Sequence, residues 1–212
     1  MTAIPAQKKD LIILVPDQDI YSGIQELLTR PQALQVRQIA FDMFKHPYRD
    51  PGCFNEAHEF LRPYIGKYEF ALVVFDKDGS GQEILGATGI ETALTQKLAQ
   101  NGWPNRAGVV VIDPELEIWV WSDSNQVDAA LGWTGKTPAL RDWLVSKGFS
   151  TTANAKPARP KEAYESALRE ARTPKSPAIF KKLAGNVSFS RCVDASFTRL
   201  KTLLQNWFPE TI

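Results

Sequence analysis

Apolar positions along the chain follow two rhythms. Residues 11–15, 71–75 and 109–112 are short, unbroken and mostly β-branched apolar runs, each bounded by charged or turn residues. That pattern predicts strands buried on both faces. A further strand is predicted over about residues 35–41. Between the runs the spacing turns helical. Ile20, Ile24, Leu27 and Leu28 mark one helix, with Asp19 as its N-cap and Pro31 as its stop. Phe54, Ala57, Leu61, Tyr64 and Ile65 mark a second. Ile90, Leu94 and Leu98 mark a third, which Asn101-Gly102 ends. After the fourth strand, Asp113-Pro114 reads as the N-cap and first position of another helix. Strands alternating with helices predict an α/β fold: a small, mostly parallel sheet of about four strands flanked by helices.

Beyond residue 123 the strand signals stop. Helical spacing recurs over 125–131, 138–147, 162–172, 176–183 and 193–207, with a polar stretch over 151–160. In the last of these, Phe197, Leu200, Leu203, Leu204 and Trp207 form one stripe. The expected organisation is an α/β core over 1–123 and a C-terminal helical extension over 124–212 that packs on it.

Composition narrows the class. With 43% apolar and 10% aromatic residues, the 212-residue chain has the means to bury a core. No apolar run approaches the length of a membrane span, and no signal-type apolar region follows Lys8 and Lys9. Cys53 and Cys192 form no CxxC pair and suggest neither a disulfide framework nor a zinc site. The expectation is a cytoplasmic protein with no membrane partner. Net charge is +1, but it is unevenly spread. Residues 1–155 carry 14 Lys/Arg against 19 Asp/Glu, and residues 156–212 carry 11 against 5. A basic tail of this kind docks on an acidic body or contacts nucleic acid.

Three of the four strands run into carboxylates: Asp17 and Asp19, then Asp76 and Asp78, then Asp113, Glu115 and Glu117. In a parallel sheet those ends share one edge, where open α/β sheets bind ligands. Asp76 and Asp78 leave the same face if the strand geometry persists that far, and Gly79 and Gly81 then turn the chain. Hard cations such as Mg²⁺ take carboxylate oxygens and substrate phosphates. The competing reading makes each acid a helix cap or a turn residue. Two strings are decoys. Residues 130–137 resemble a phosphate-binding loop, but a polar segment precedes them where a buried strand is required. Phe75-Asp76-Lys77-Asp78-Gly79 resembles the opening of haloacid-dehalogenase-type phosphatases, but it lies on the third strand with no downstream acidic pair. There is no Gly-x-Ser-x-Gly elbow, and His46 and His58 are the only histidines.

Taken in order, these residues resemble a Toprim-type domain, and more closely its single-domain RloB-like relatives from bacterial anti-phage and restriction loci. Asp76-Lys77-Asp78 is similar to the family's Asp-x-Asp, and Glu115-Leu116-Glu117-Ile118-Trp119 to its Glu-Leu-Glu-x-Trp helix start. Lys156-Pro157, residues 180–184 and residues 191–197 are similar to its C-terminal helices. Pro16-Asp17 stands where the family has Glu-Gly. The resemblance implies a Mg²⁺-dependent, phosphodiester-cleaving defence protein, of a kind found with methylation-associated systems. Asp17, Asp76, Asp78 and Glu115 would be catalytic, and Asp76, Asp78, Asp17 and Asp19 would hold the metal. Lys175, Lys181, Lys182 and Arg191 would steer DNA or RNA. The alternative is an inactive Toprim scaffold that binds other subunits of a defence complex.

Overall fold

A computed structural model describes residues 8–189 and 192–210. Arg191 lies outside the described residues. Four strands, β1 (Lys9–Val15), β2 (Phe41–Lys45), β3 (Tyr68–Asp76) and β4 (Ala107–Ile112), form one all-parallel sheet in the order β2-β1-β3-β4. The chain moves outward from β1 to β2, then returns to place β3 on the other side of β1. The switch point therefore falls between the carboxyl ends of β1 and β3, where such sheets leave a crevice.

Strand periodicity divides the core in two. Leu11, Ile13, Val15, Leu72, Val74, Val110 and Ile112 face one layer, while Ile12, Leu14, Val73, Phe75, Val109 and Val111 face the other. The second face is covered by α3 (Arg49–Asn55), α4 (Ala57–Leu61) and α5 (Gly86–Gln100). The first face takes α1 (Gln18–Leu28), α2 (Pro31–Leu34) and the helices that follow β4. These are α6 (Glu117–Val120), α7 (Asn125–Ala130), α8 (Leu140–Ser146), α9 (Pro160–Ala171), α10 (Pro177–Asn186) and α11 (Ala195–Trp207). Tyr164, Phe180, Leu200, Leu204 and Phe208 are buried in the same cluster as the β1 and β3 side chains. Each such aliphatic or aromatic burial contributes about 1.5–3 kcal/mol. Residues 124–210 are therefore one wall of the core itself.

β4 is an edge strand, and side chains close its open side. The Arg199 guanidinium donates through Nε to the Val109 carbonyl at 2.7 Å. Glu91 accepts the Val111 N–H at 3.1 Å and pairs with Arg199 at 3.0 Å. This ion pair supplies the donor and acceptor that a neighbouring strand would have supplied, which blunts the edge.

Several expected boundaries move. The second strand is at 41–45; Gln35 is left-handed (φ 60°), and Val36 forms only an isolated bridge with Pro209. Pro31 opens the short α2 as well as ending α1. The helix expected through Phe54 and Ile65 is broken into α3, α4 and a 3-10 turn over Arg62–Tyr64. Asp17, and not Asp19, caps α1. Asp113 caps no helix among the described residues: it pairs with Lys77, and the helical turn α6 starts only at Glu117.

Candidate functional site

At the switch point the residues just past β1 and β3 meet those leading into α3, α6 and α9. Asp17 follows β1, and its Oδ1 accepts the N–H groups of Asp19 and Ile20, both at 3.0 Å. That contact satisfies the donors left free at the start of α1. Asp76 is the last residue of β3, and its N–H donates to Asp50 Oδ1 at 3.0 Å. Asp50 belongs to the first turn of α3, so this bond ties the β2–α3 connection to the end of β3. The connection is tightly built. A Cβ on Gly52 would lie 2.0 Å from His46 Nδ1, and His46 is buried, with Nδ1 accepting the Tyr48 N–H at 3.2 Å.

These groups enclose a pocket of about 180 Å³. Asp17, Asp19, Asp76 and Glu117 supply its carboxylates, and Arg49, Lys161 and Lys175 its cations. Its size and polarity suit an ion or a single phosphoryl group, whereas organic-ligand pockets are several hundred Å³ and mostly apolar. A second cavity, lined by Leu27, Trp119, Phe180 and Phe197 among others, presents no carboxylate, histidine or basic side chain among the described residues.

The electrostatics centre on Asp76. Part of the residue opens to the pocket, but Oδ1 is sealed from solvent and has no hydrogen-bond partner among the described residues. Burial raises its pKa well above the usual carboxylate range, and the charges of Asp50, Glu117, Asp17 and Glu115 raise it further. Glu117 is 4% exposed, and burial pushes its pKa to about 7. Glu115 adds to that rise, while Lys161, Lys175 and Glu117's own N–H oppose it. Burial and Asp17 raise Asp19, and burial raises Asp50. Each acid makes its neighbours harder to ionise.

Not every expected site residue joins this group. The strand geometry does not persist past Asp76. The Lys77 N–H bonds Ile112 and the Ser80 N–H bonds Lys77, which turns the chain. Gly79 (φ 88°) and Gly81 (φ 76°) take left-handed conformations open to glycine, and their N–H groups converge on Glu83 Oε1. Asp78 is consequently exposed and lies outside the pocket. Glu115 is close enough to act on Asp76, but its carboxylate is committed. It accepts the Lys161 N–H and pairs with Lys161 Nζ, both at 3.1 Å, and so caps α9 from another element. Lys175 reaches the pocket and pairs with Glu165 at 2.8 Å. Lys181 lies 3.9 Å from Glu26, and Lys182 donates to the Ala129 carbonyl at 3.0 Å, so α10's lysines dock that helix within the chain. The string at 130–137 follows α7 and no strand, so it lacks the setting of a phosphate-binding loop.

Asp50, Arg49 and Lys161 complete the site beyond the expected residues, and Glu117, expected among the strand-end acids but without an assigned role, joins them. Asp50 had a usable signal, since it lies just past the carboxyl end of β2 once that strand is placed at 41–45. Lys161 had none, because only tertiary docking brings α9 to the rim. Among the described residues, no group of three carboxylate, histidine or cysteine side chains is placed to hold one metal ion. Comparison with protein-family models, with curated proteins and with solved structures returns no match for this chain.

Proposed function

We propose that the switch-point pocket binds Mg²⁺ through Asp76 and supports cleavage of phosphodiesters. The observation that carries this reading is the sealed, unpartnered Asp76 Oδ1 among mutually repelling carboxylates. A buried carboxylate oxygen with no donor is costly, and a hard cation relieves both the missing contact and the repulsion. The donors suit such an ion in kind. Mg²⁺ is held by one or two carboxylates, its own waters and substrate phosphates, so no all-protein cage is needed. Asp76 is the primary ligand in this reading, with Asp17 or Asp19 beside it. A bound Mg²⁺ would supply positive charge to a phosphoryl oxygen and lower the pKa of water.

The chain's own groups support the rest. Glu117, with a pKa of about 7, exchanges a proton near neutrality as a general acid or base must. Lys161 and Lys175 add positive charge on the pocket wall. The bacterial defence setting and a nucleic-acid substrate rest on the Toprim-like resemblance alone, which is an analogy of fold and motif.

One observation favours the scaffold reading. Glu115 is spent on α9, Asp17 caps α1, and Asp78 lies outside, so three of the four residues with expected catalytic roles have other settings. A thermal-shift titration separates the two. Under the metal reading, Mg²⁺ or Mn²⁺ raises the Tm of the native chain and leaves Asp76→Asn unmoved. In EDTA near neutral pH the variant melts above the native chain, because folding no longer has to bury a carboxyl whose charged form is disfavoured there. No metal response in the native chain refutes the metal reading and leaves the scaffold.

A further inference from the structure

We infer that Arg49 is the phosphate-contacting residue of this pocket. The inference rests on the reading of the pocket as a phosphoryl site and adds to it the group that recognises the ligand's anion. Three cations line the pocket, and two are engaged. Lys161 is held by Glu115, and Lys175 by Glu165. Arg49 is exposed, and its guanidinium makes no hydrogen bond or ion pair among the described residues, although four carboxylates line the same pocket.

Its backbone is the second observation. Arg49 has φ 50°, in the left-handed region that side chains with a Cβ seldom adopt. The conformation is fixed from both sides. The Arg49 N–H donates to the His46 carbonyl at 3.1 Å, and the next residue, Asp50, is bonded to the β3 terminus. Residues held in sparsely populated conformations cluster at ligand clamps. A planar guanidinium offers paired donors to two oxygens of one phosphoryl group, which a lysine ammonium does not. The ligand class is therefore a phosphate ester, with one phosphoryl group entering the pocket.

The test uses inorganic phosphate below about 10 mM at constant ionic strength, read as a change in Tm, with and without Mg²⁺. The expected result is stabilisation of the native chain. Arg49→Gly should bind phosphate roughly tenfold more weakly or worse. Glycine adopts the left-handed region freely, so this variant should be no less stable than the native chain, and lost binding then reports the guanidinium. Arg49→Lys keeps the charge without the fork and should fall between the two. The Mg²⁺ response should survive in both variants. Equal phosphate affinity in the native chain and Arg49→Gly overturns the assignment, as does a native chain that ignores phosphate. Absence of a Mg²⁺ response refutes the metal reading and leaves the phosphate arm to be judged alone. Competition by a short oligonucleotide with and without a 5′-phosphate then distinguishes a terminal phosphate from a backbone diester.

Discussion

Replacing Glu117 by glutamine should turn a pH-dependent liability into a constant. The folded chain holds the Glu117 proton up to a pKa of about 7, against an ordinary value of 4.5. Between those two pH values the folded state binds more protons than the unfolded state, so stability falls as pH rises. The full contribution is present below pH 4.5 and is lost as pH passes through 7. At about 1.4 kcal/mol for each tenfold in the proton equilibrium, the loss amounts to roughly 3 kcal/mol. Glutamine carries no such proton. The stability of Glu117→Gln relative to the native chain should therefore rise by roughly 3 kcal/mol between about pH 4 and pH 8. Urea unfolding in EDTA at half-unit pH steps measures this difference. Asp50 and Asp19 are also raised and steepen both curves alike, so their contributions cancel in the subtraction, whereas Asp76 is raised in part by Glu117 itself and adds to the difference in the same direction. A difference that stays flat across the range, within about 0.5 kcal/mol, refutes the account of Glu117 as a buried, repelled carboxylate. Repeating the series with Mg²⁺ should flatten the native curve if the ion relieves the repulsion.

Other perturbations probe the frame around the pocket. Gly52→Ala drives a methyl into the buried His46 ring and should cost about 1–3 kcal/mol, a drop of roughly 2–12 °C in Tm by calorimetry. Arg199→Ala leaves the 6%-exposed Glu91 without its cation and the Val109 carbonyl without its donor. It should cost about 2–3 kcal/mol. It should also expose the β4 edge, so light scattering should report more concentration-dependent association than in the native chain; an unchanged scattering mass would show that α11 alone protects that edge.

What could be read beforehand follows the range of the forces involved. Continuous β-branched runs and helical stripes are local patterns, so β1, β3, β4, α5 and α11 were legible to within a few residues. The pattern puts a strand over 35–41 instead of at β2 because Val36 and Ile39 are buried without being in a strand, and their apolar character imitates one. The cap at Asp17 and the turn at Lys77 escape the local pattern for a related reason. Each depends on where the backbone leaves regular geometry, and several residues in a polar segment are equally able to mark that point. The convergence of Asp17, Asp19 and Asp76 was legible because sheet topology alone dictates it. The commitment of Glu115 to Lys161, some 46 positions away, is a product of docking. No local pattern encodes it.

The bond from Glu115 to the first turn of α9 makes the helices after β4 inseparable from the crevice they border. A chain cut at residue 123 would bare the Leu11, Ile13, Leu72 and Val110 face to water and would take Lys161 and Lys175 away from the acids they partly balance. The smallest portable version of this molecule therefore runs to α11, and any exchange of parts with another α/β protein has to carry the tail along with the sheet.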